Sequence, residues 1–247
     1  MSHEALEKNI GWMAIMIALV ISVGGLVEIV PLMISAQIIN PAPGIKPYPP
    51  LELAGRNIYV REGCYNCHSQ MIRTLSFETK RYGHYSIAGE SVYDRPFQWG
   101  SKRTGPDLAR VGGRYSDEWH RVHFNNPRDV VPESNMPGYP WLAKNKPDVA
   151  DIQANMRVLK MLDKAYTDEE IANVGEVLAD KTELDALIAY LQNLGNQTDF
   201  EAITEAGKTP ALKPSADPKP STDPSGDPNT DPASDPGPAA AAVGAAQ

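Results

Sequence analysis

From Asn9 to Val27 no residue carries a charge, and the stretch IGWMAIMIALVISVGGLV is apolar on every helical face. A lipid-exposed helix has that all-round character, whereas a soluble surface helix shows one apolar stripe. Crossing about 30 Å of hydrocarbon takes roughly 20 helical residues. The pattern therefore predicts a short N-terminus, 1–9, and then a transmembrane helix with its outer extension over 10–39. The apolar run is longer than a signal-peptide core, and no clear small-x-small cleavage site follows, so an uncleaved anchor is expected. Lys8 precedes the span while Lys46 and Arg56 follow it, so flanking charge does not set the orientation. Glu28, near the outer end, reads as an interfacial carboxylate or a helix contact, with a proton or cation role as the sharper alternative. Gly24 and Gly25 would permit close helix packing.

The periodicity then breaks. NPAPGIKPYPP, residues 40–50, holds five prolines in eleven residues. Proline stops a helix and favours extended polyproline geometry. This linker is expected to act as a stiff strap that holds the next domain off the membrane. Apolar periodicity returns over 51–200. PLELAGRNIYVREGCYNCH reads as one helix with Leu53, Ile58 and Val60 inward and Gly63 easing its end. DKTELDALIAYLQNLG reads as a capped helix, with Thr182 or Asp180 at its start and Gly195 at its end. Leu184, Leu187, Ile188 and Leu191 share one face of it, which is expected to pack on the first helix of the domain. From 201 to 247 no periodicity survives. Asp-Pro recurs at Asp217, Asp223, Asp227, Asp231 and Asp235, and a chain with no core to bury gains nothing that offsets its ordering entropy. A disordered tail is expected there, and its Asp spacing fits no EF-hand.

Composition narrows the chemistry. A net charge of −8 gives no reason to expect nucleic acid as a partner. Both cysteines of the chain, Cys64 and Cys67, stand in REGCYNCHSQ with His68 beside them. On one helical turn, positions i, i+3 and i+4 share a face, so two thiols can bond one edge of a flat macrocycle while the imidazole reaches its iron. C-x-x-C-H is the attachment signature of haem c. One motif implies one covalently bound haem c. A thioredoxin-like redox pair would need a βαβ context, and a structural zinc would need further ligands. In bacteria the thioethers form outside the cytoplasmic membrane, which sets the expected topology: N-terminus cytoplasmic, haem domain periplasmic, inner membrane, single pass.

A high-potential carrier takes Met opposite His. Met71 follows the motif too closely to reach the far face. Met156 and Met161 lie in a helical pattern and read as core. Met136, in the Pro-stiffened loop VVPESNMPGYPWL, is the preferred sixth ligand, with His84, His120 and His123 as alternatives. The histidines of DEWHRVHFNNP are expected to face solvent or a partner. Pro106 in TGPDLARVGGRY cannot donate from its nitrogen, and carbonyls beside it are placed to accept from the second nitrogen of His68 and so orient the ring. Arg73, Arg103, Arg110 and Arg114 are candidates to neutralise haem propionates.

LAGRNIYVREGCYNCHSQMIRTL, the long stretch from RYGHYSIAGESVYDRPFQWG to RDVVPESNMPGYPWL, and LDALIAYLQNLG together resemble the membrane-anchored mono-haem cytochrome c subunit (subunit II) of cbb3-type cytochrome c oxidases. The resemblance covers about residues 5–200 and stops before the tail. It implies an all-α chain, with an N-terminal transmembrane helix followed by a class I cytochrome c-like domain carrying a long insertion after the haem motif. It further implies that Cys64 and Cys67 attach the haem, that His68 and Met136 are its axial ligands, and that the chain is an electron-transfer subunit, not itself catalytic. The implied partners are the catalytic haem-copper subunit, a di-haem cytochrome c subunit and a soluble cytochrome c donor. The insertion is rich in Arg81, Tyr82, Tyr85, Tyr93, Arg95, Phe97 and Trp99, residue types favoured at interfaces, and is expected to dock on the catalytic subunit. The alternatives are the anchored cytochrome c subunit of a bacterial nitric oxide reductase and a free membrane-anchored shuttle.

Overall fold

The computed structural model of the chain describes residue 4 and residues 7–35, 40–163 and 165–207. Among these residues there are helices and irregular segments but no strand. The tail from 208 onward lies outside the described residues.

Helix α1, Ile10–Ile34, is long and apolar enough to cross a membrane and buries none of its residues. Asn9 caps it through a bond accepted from the Trp12 amide. The all-round apolar pattern is the reason: nothing in this helix has a preferred inward face.

The domain is built on two crossing helices. α2, Pro50–Arg61, starts on a proline, which is tolerated in a first turn, and buries Leu53, Ala54, Ile58 and Tyr59. α8, Glu183–Asn193, begins at Thr182. The Thr182 hydroxyl accepts from the Asp185 amide at 3.1 Å, and Asp185 accepts from the Thr182 amide at 2.9 Å, closing a reciprocal cap. Leu184, Leu187, Ile188 and Leu191 are buried as their spacing predicts, and α8 packs chiefly on α2. Between them run α3 (Ser76–Tyr82), α4 (Asp117–Asn125), α5 (Val149–Asp163), α6 (Asp168–Ala172) and α7 (Val174–Leu178), followed after α8 by α9 (Phe200–Gly207).

Two expectations are corrected here, those for Met161 and for the helix entering the cysteine motif. The linker, 40–50, is tied to the domain. Ala42 is buried, its amide donates to the Gly89 carbonyl at 3.0 Å, and the Asp199 amide donates to the Pro43 carbonyl at 2.9 Å. Met156 is in the core, but Met161 is 84% exposed, because the apolar face of α5 is wider than the surface the domain offers it. The helix entering the cysteine motif stops at Arg61: Gly63 turns left-handed with φ 72, a conformation that favours glycine, and Cys64–Asn66 continue as one tighter turn. Helix α9 occupies the first part of the 201–247 segment. Phe200 at its start stacks on His84 with centroids 4.3 Å apart and lies under the Arg110 guanidinium.

Candidate haem site

The tight turn at Cys64 keeps the spacing that matters. The amides of both Cys67 and His68 donate to the Cys64 carbonyl, at 3.1 and 3.0 Å, so Cys64, Cys67 and His68 belong to one turn. No disulfide links the two thiols. Burial pushes the Cys64 thiol up to about 12, the reverse of what a thiolate redox pair requires. Among the described residues no group of three or more His, Cys, Asp and Glu could hold a metal ion, so nothing completes a zinc site around the pair.

His68 is held from behind. Its Nδ1 donates to the carbonyl oxygen of Pro106 itself at 2.8 Å, which leaves Nε2 as the free ligand nitrogen. Burial lowers the pKa of the ring, keeping the neutral, coordinating form. Gly105 lies flat against the imidazole: a Cβ there would sit 2.2 Å from His68 Cε1. The segment after the motif is then stitched to the Pro106 loop. The Gly105 amide donates to the Cys67 carbonyl at 3.0 Å and the Leu108 amide to the Ser69 carbonyl at 2.8 Å. Buried Asp107 accepts from the Ser69 hydroxyl at 2.6 Å and from the Met71 and Ala109 amides at 2.9 and 2.8 Å.

Met136 is half-buried against the main core, in a loop tied to α4. The Tyr139 amide donates to the Phe124 carbonyl at 2.6 Å, and Gly138 lies so close to the Asn125 carbonyl oxygen that a Cβ would fall 2.6 Å from it. Of the alternative ligands, His84 is stacked between Tyr85 and Phe200. Of the two histidines expected to face solvent or a partner, His120 is buried and His123 is partly exposed. His120 is 3% exposed, and His123 stacks on Trp119 with centroids 4.5 Å apart. Burial first, then His120 and His68, push His123 down to about 4.

The four candidate arginines have protein partners. Arg73 and Arg103 both bind Glu78, whose side chain is fully buried, and Arg103 also donates to the Ser69 hydroxyl and the Met71 carbonyl. Arg110 grips Glu90 through two bonds of 2.7 and 2.9 Å. Arg114 donates to the carbonyls of Arg81 and Tyr82. The insertion is likewise divided. Tyr82 is buried, while Phe97 and Trp99 are exposed and stacked face to face, with centroids 4.7 Å apart.

Sequence reasoning missed a buried ion pair that fastens the insertion to α2. Arg56 Nε donates to Asp94 at 2.8 Å with both side chains under 10% exposed, and the same guanidinium reaches the carbonyls of Arg95 and Pro96. No local signal marks it, since neither residue breaks a pattern.

The residues present fit a haem c: two unpaired thiols on one turn, an imidazole with its second nitrogen already bonded, a glycine that leaves the ring room, and a half-buried thioether on an anchored loop. Fold and site together define a membrane-anchored c-type cytochrome. The family model described as cytochrome C oxidase, mono-heme subunit/FixO, matches residues 3–182. The chain belongs to that family: it is the mono-haem electron-transfer subunit of a cbb3-type cytochrome c oxidase. The family match sets aside both the nitric oxide reductase subunit and the free shuttle. No curated protein sequence matches the chain.

Proposed function

We propose that Cys64 and Cys67 hold one haem c as thioethers, with His68 and Met136 as its axial ligands, and that the domain stands on the periplasmic side of the inner membrane. Haem c bound there supplies a one-electron iron couple. The chain's own residues do the positioning. Pro106 fixes the imidazole by accepting from Nδ1, and such bonds orient a ligand and raise its basicity. Gly105 keeps the space beside the ring clear. Asp107 clamps the segment after the motif, the Phe124 carbonyl accepts from the Met136 loop at Tyr139, and Gly138 lets that loop pass close to the Asn125 carbonyl.

The observation that carries this reading is the 2.8 Å bond from His68 to Pro106 within the Cys64–His68 turn. It commits one ring nitrogen to the protein and leaves the other for iron. In the complex, the subunit takes electrons from the di-haem cytochrome c subunit or a soluble cytochrome c and passes them to the catalytic haem-copper subunit. The exposed Phe97–Trp99 stack offers an apolar surface of the insertion for docking there. Redox titration of Met136→Ala tests the ligand assignment. The expected result is a lower midpoint potential with haem still attached, and an unchanged potential removes Met136 as ligand.

A further inference from the structure

Helix α4 carries a buried polar atom, His123 Nδ1, with no hydrogen-bond partner among the described residues. A buried donor left unpaired costs about 1–3 kcal/mol, so it is expected to meet an acceptor in the working protein. Its position says where that acceptor lies. His123 stands on α4, held by Trp119 on one side. The carbonyl of the next residue, Phe124, anchors the Met136 loop by accepting from the Tyr139 amide. The helix that carries this ring is therefore also the one to which the loop with the thioether is tied. The arginines that sequence offered for the propionates are bonded elsewhere: Arg73 and Arg103 to Glu78, Arg110 to Glu90, Arg114 to main-chain carbonyls. Haem ligation brings in buried acceptors, and these need donors.

We propose that His123 is a haem-binding residue, whose Nδ1–H donates to an acceptor that haem ligation sets in the pocket, either a propionate carboxylate or the sulfur of bound Met136. The proposal rests on the His68–Met136 reading above. A hydrogen bond to either acceptor draws electron density away from the iron and favours the reduced state, so it raises the potential.

The test uses the purified oxidase, with the haem c followed at its own α band. His123→Phe keeps the ring and removes the donor, while His123→Asn returns an N–H close to the Nδ1 position. The expected result is full haem attachment in both, a midpoint lowered in His123→Phe, and a midpoint restored toward wild type in His123→Asn. A wild-type midpoint in His123→Phe overturns the proposal, as does a His123→Asn midpoint no higher than that of His123→Phe. Should His123→Phe fail to assemble, resonance Raman and near-infrared absorption spectra of wild type and the donor-free His123→Ala decide. A change in the propionate bending modes between them identifies the carboxylate as acceptor, and a shift of the near-infrared thioether-to-iron band identifies the sulfur. No change in either overturns the proposal. A wild-type ferric spectrum that lacks the thioether band altogether counts against Met136 ligation instead, so the two failures are separable.

Discussion

Gly55 on α2 and Ala186 on α8 meet so closely that a Cβ at position 55 would fall 1.9 Å from the Ala186 carbonyl oxygen. The two helices cross backbone to backbone, and only glycine permits it. The crossing sets the angle at which α2 delivers Cys64, Cys67 and His68 to the pocket.

Gly55→Ala is expected to force the helices apart. Overpacking of this kind costs about 1–3 kcal/mol, and contact with main chain rather than a movable side chain puts it at the upper end. For a domain of this size that corresponds to a fall in Tm of roughly 6–12 °C. Thermal unfolding of the purified subunit followed by far-ultraviolet circular dichroism checks it, and an unchanged Tm would show that the helices can slide.

The helices of that crossing were legible in the sequence because their signals are local. Leu184, Leu187, Ile188 and Leu191 repeat at helical spacing, Thr182 and Gly195 bracket them, and Cys64, Cys67 and His68 lie within one turn of each other. What was not legible depends on residues far apart in the chain. Arg56 and Asp94 are separated by 38 positions, and neither shows in composition or period. His120 and His123 looked like the polar face of α4, because nothing local reveals that aromatic neighbours cover that face. Met161 looked like core because periodicity reports which face is apolar, not how much of it finds a partner.

Asp94→Ala should destabilise strongly while leaving the haem spectrum unchanged. Removing one member of a buried pair strands the other charge, at a cost of about 3–5 kcal/mol, and the Arg56 side chain is only 6% exposed. The double variant Arg56→Met, Asp94→Leu removes both charges and should recover most of the loss. Chemical denaturation of the three proteins checks both statements. A double variant as unstable as the single one would contradict the stranded-charge explanation.

Gly105→Ala is expected to damage the site without unfolding the domain. The added methyl would meet the His68 ring at 2.2 Å from Cε1 and push Nδ1 off the Pro106 carbonyl. Haem-stained denaturing gels should show less attached haem, and the fraction that is loaded should have an altered potential. Normal loading with a wild-type potential would show that the ring does not need this support.

Acid stability should depend on Glu78. Burial raises its pKa, but Arg103, with Arg73, outweighs that and holds the carboxyl at about 2 against an ordinary value of 4.5. A depressed carboxylate pKa stabilises the fold above the unfolded value, and that contribution is lost as pH falls from about 4.5 toward 2. Glu78→Gln should therefore be less stable than wild type at neutral pH, with the difference shrinking across that acid window. Unfolding midpoints measured at several pH values test it, and a constant difference would contradict the assignment.

A pyridine haemochrome spectrum of the purified chain, taken after denaturation and extraction with acidified acetone, tests the central claim most directly. One c-type haem per polypeptide, retained through extraction in wild type and lost when Cys64 and Cys67 are both replaced by serine, is the predicted result. Haem that extracts freely from the wild-type chain, or a spectrum with no haem bands, would contradict it.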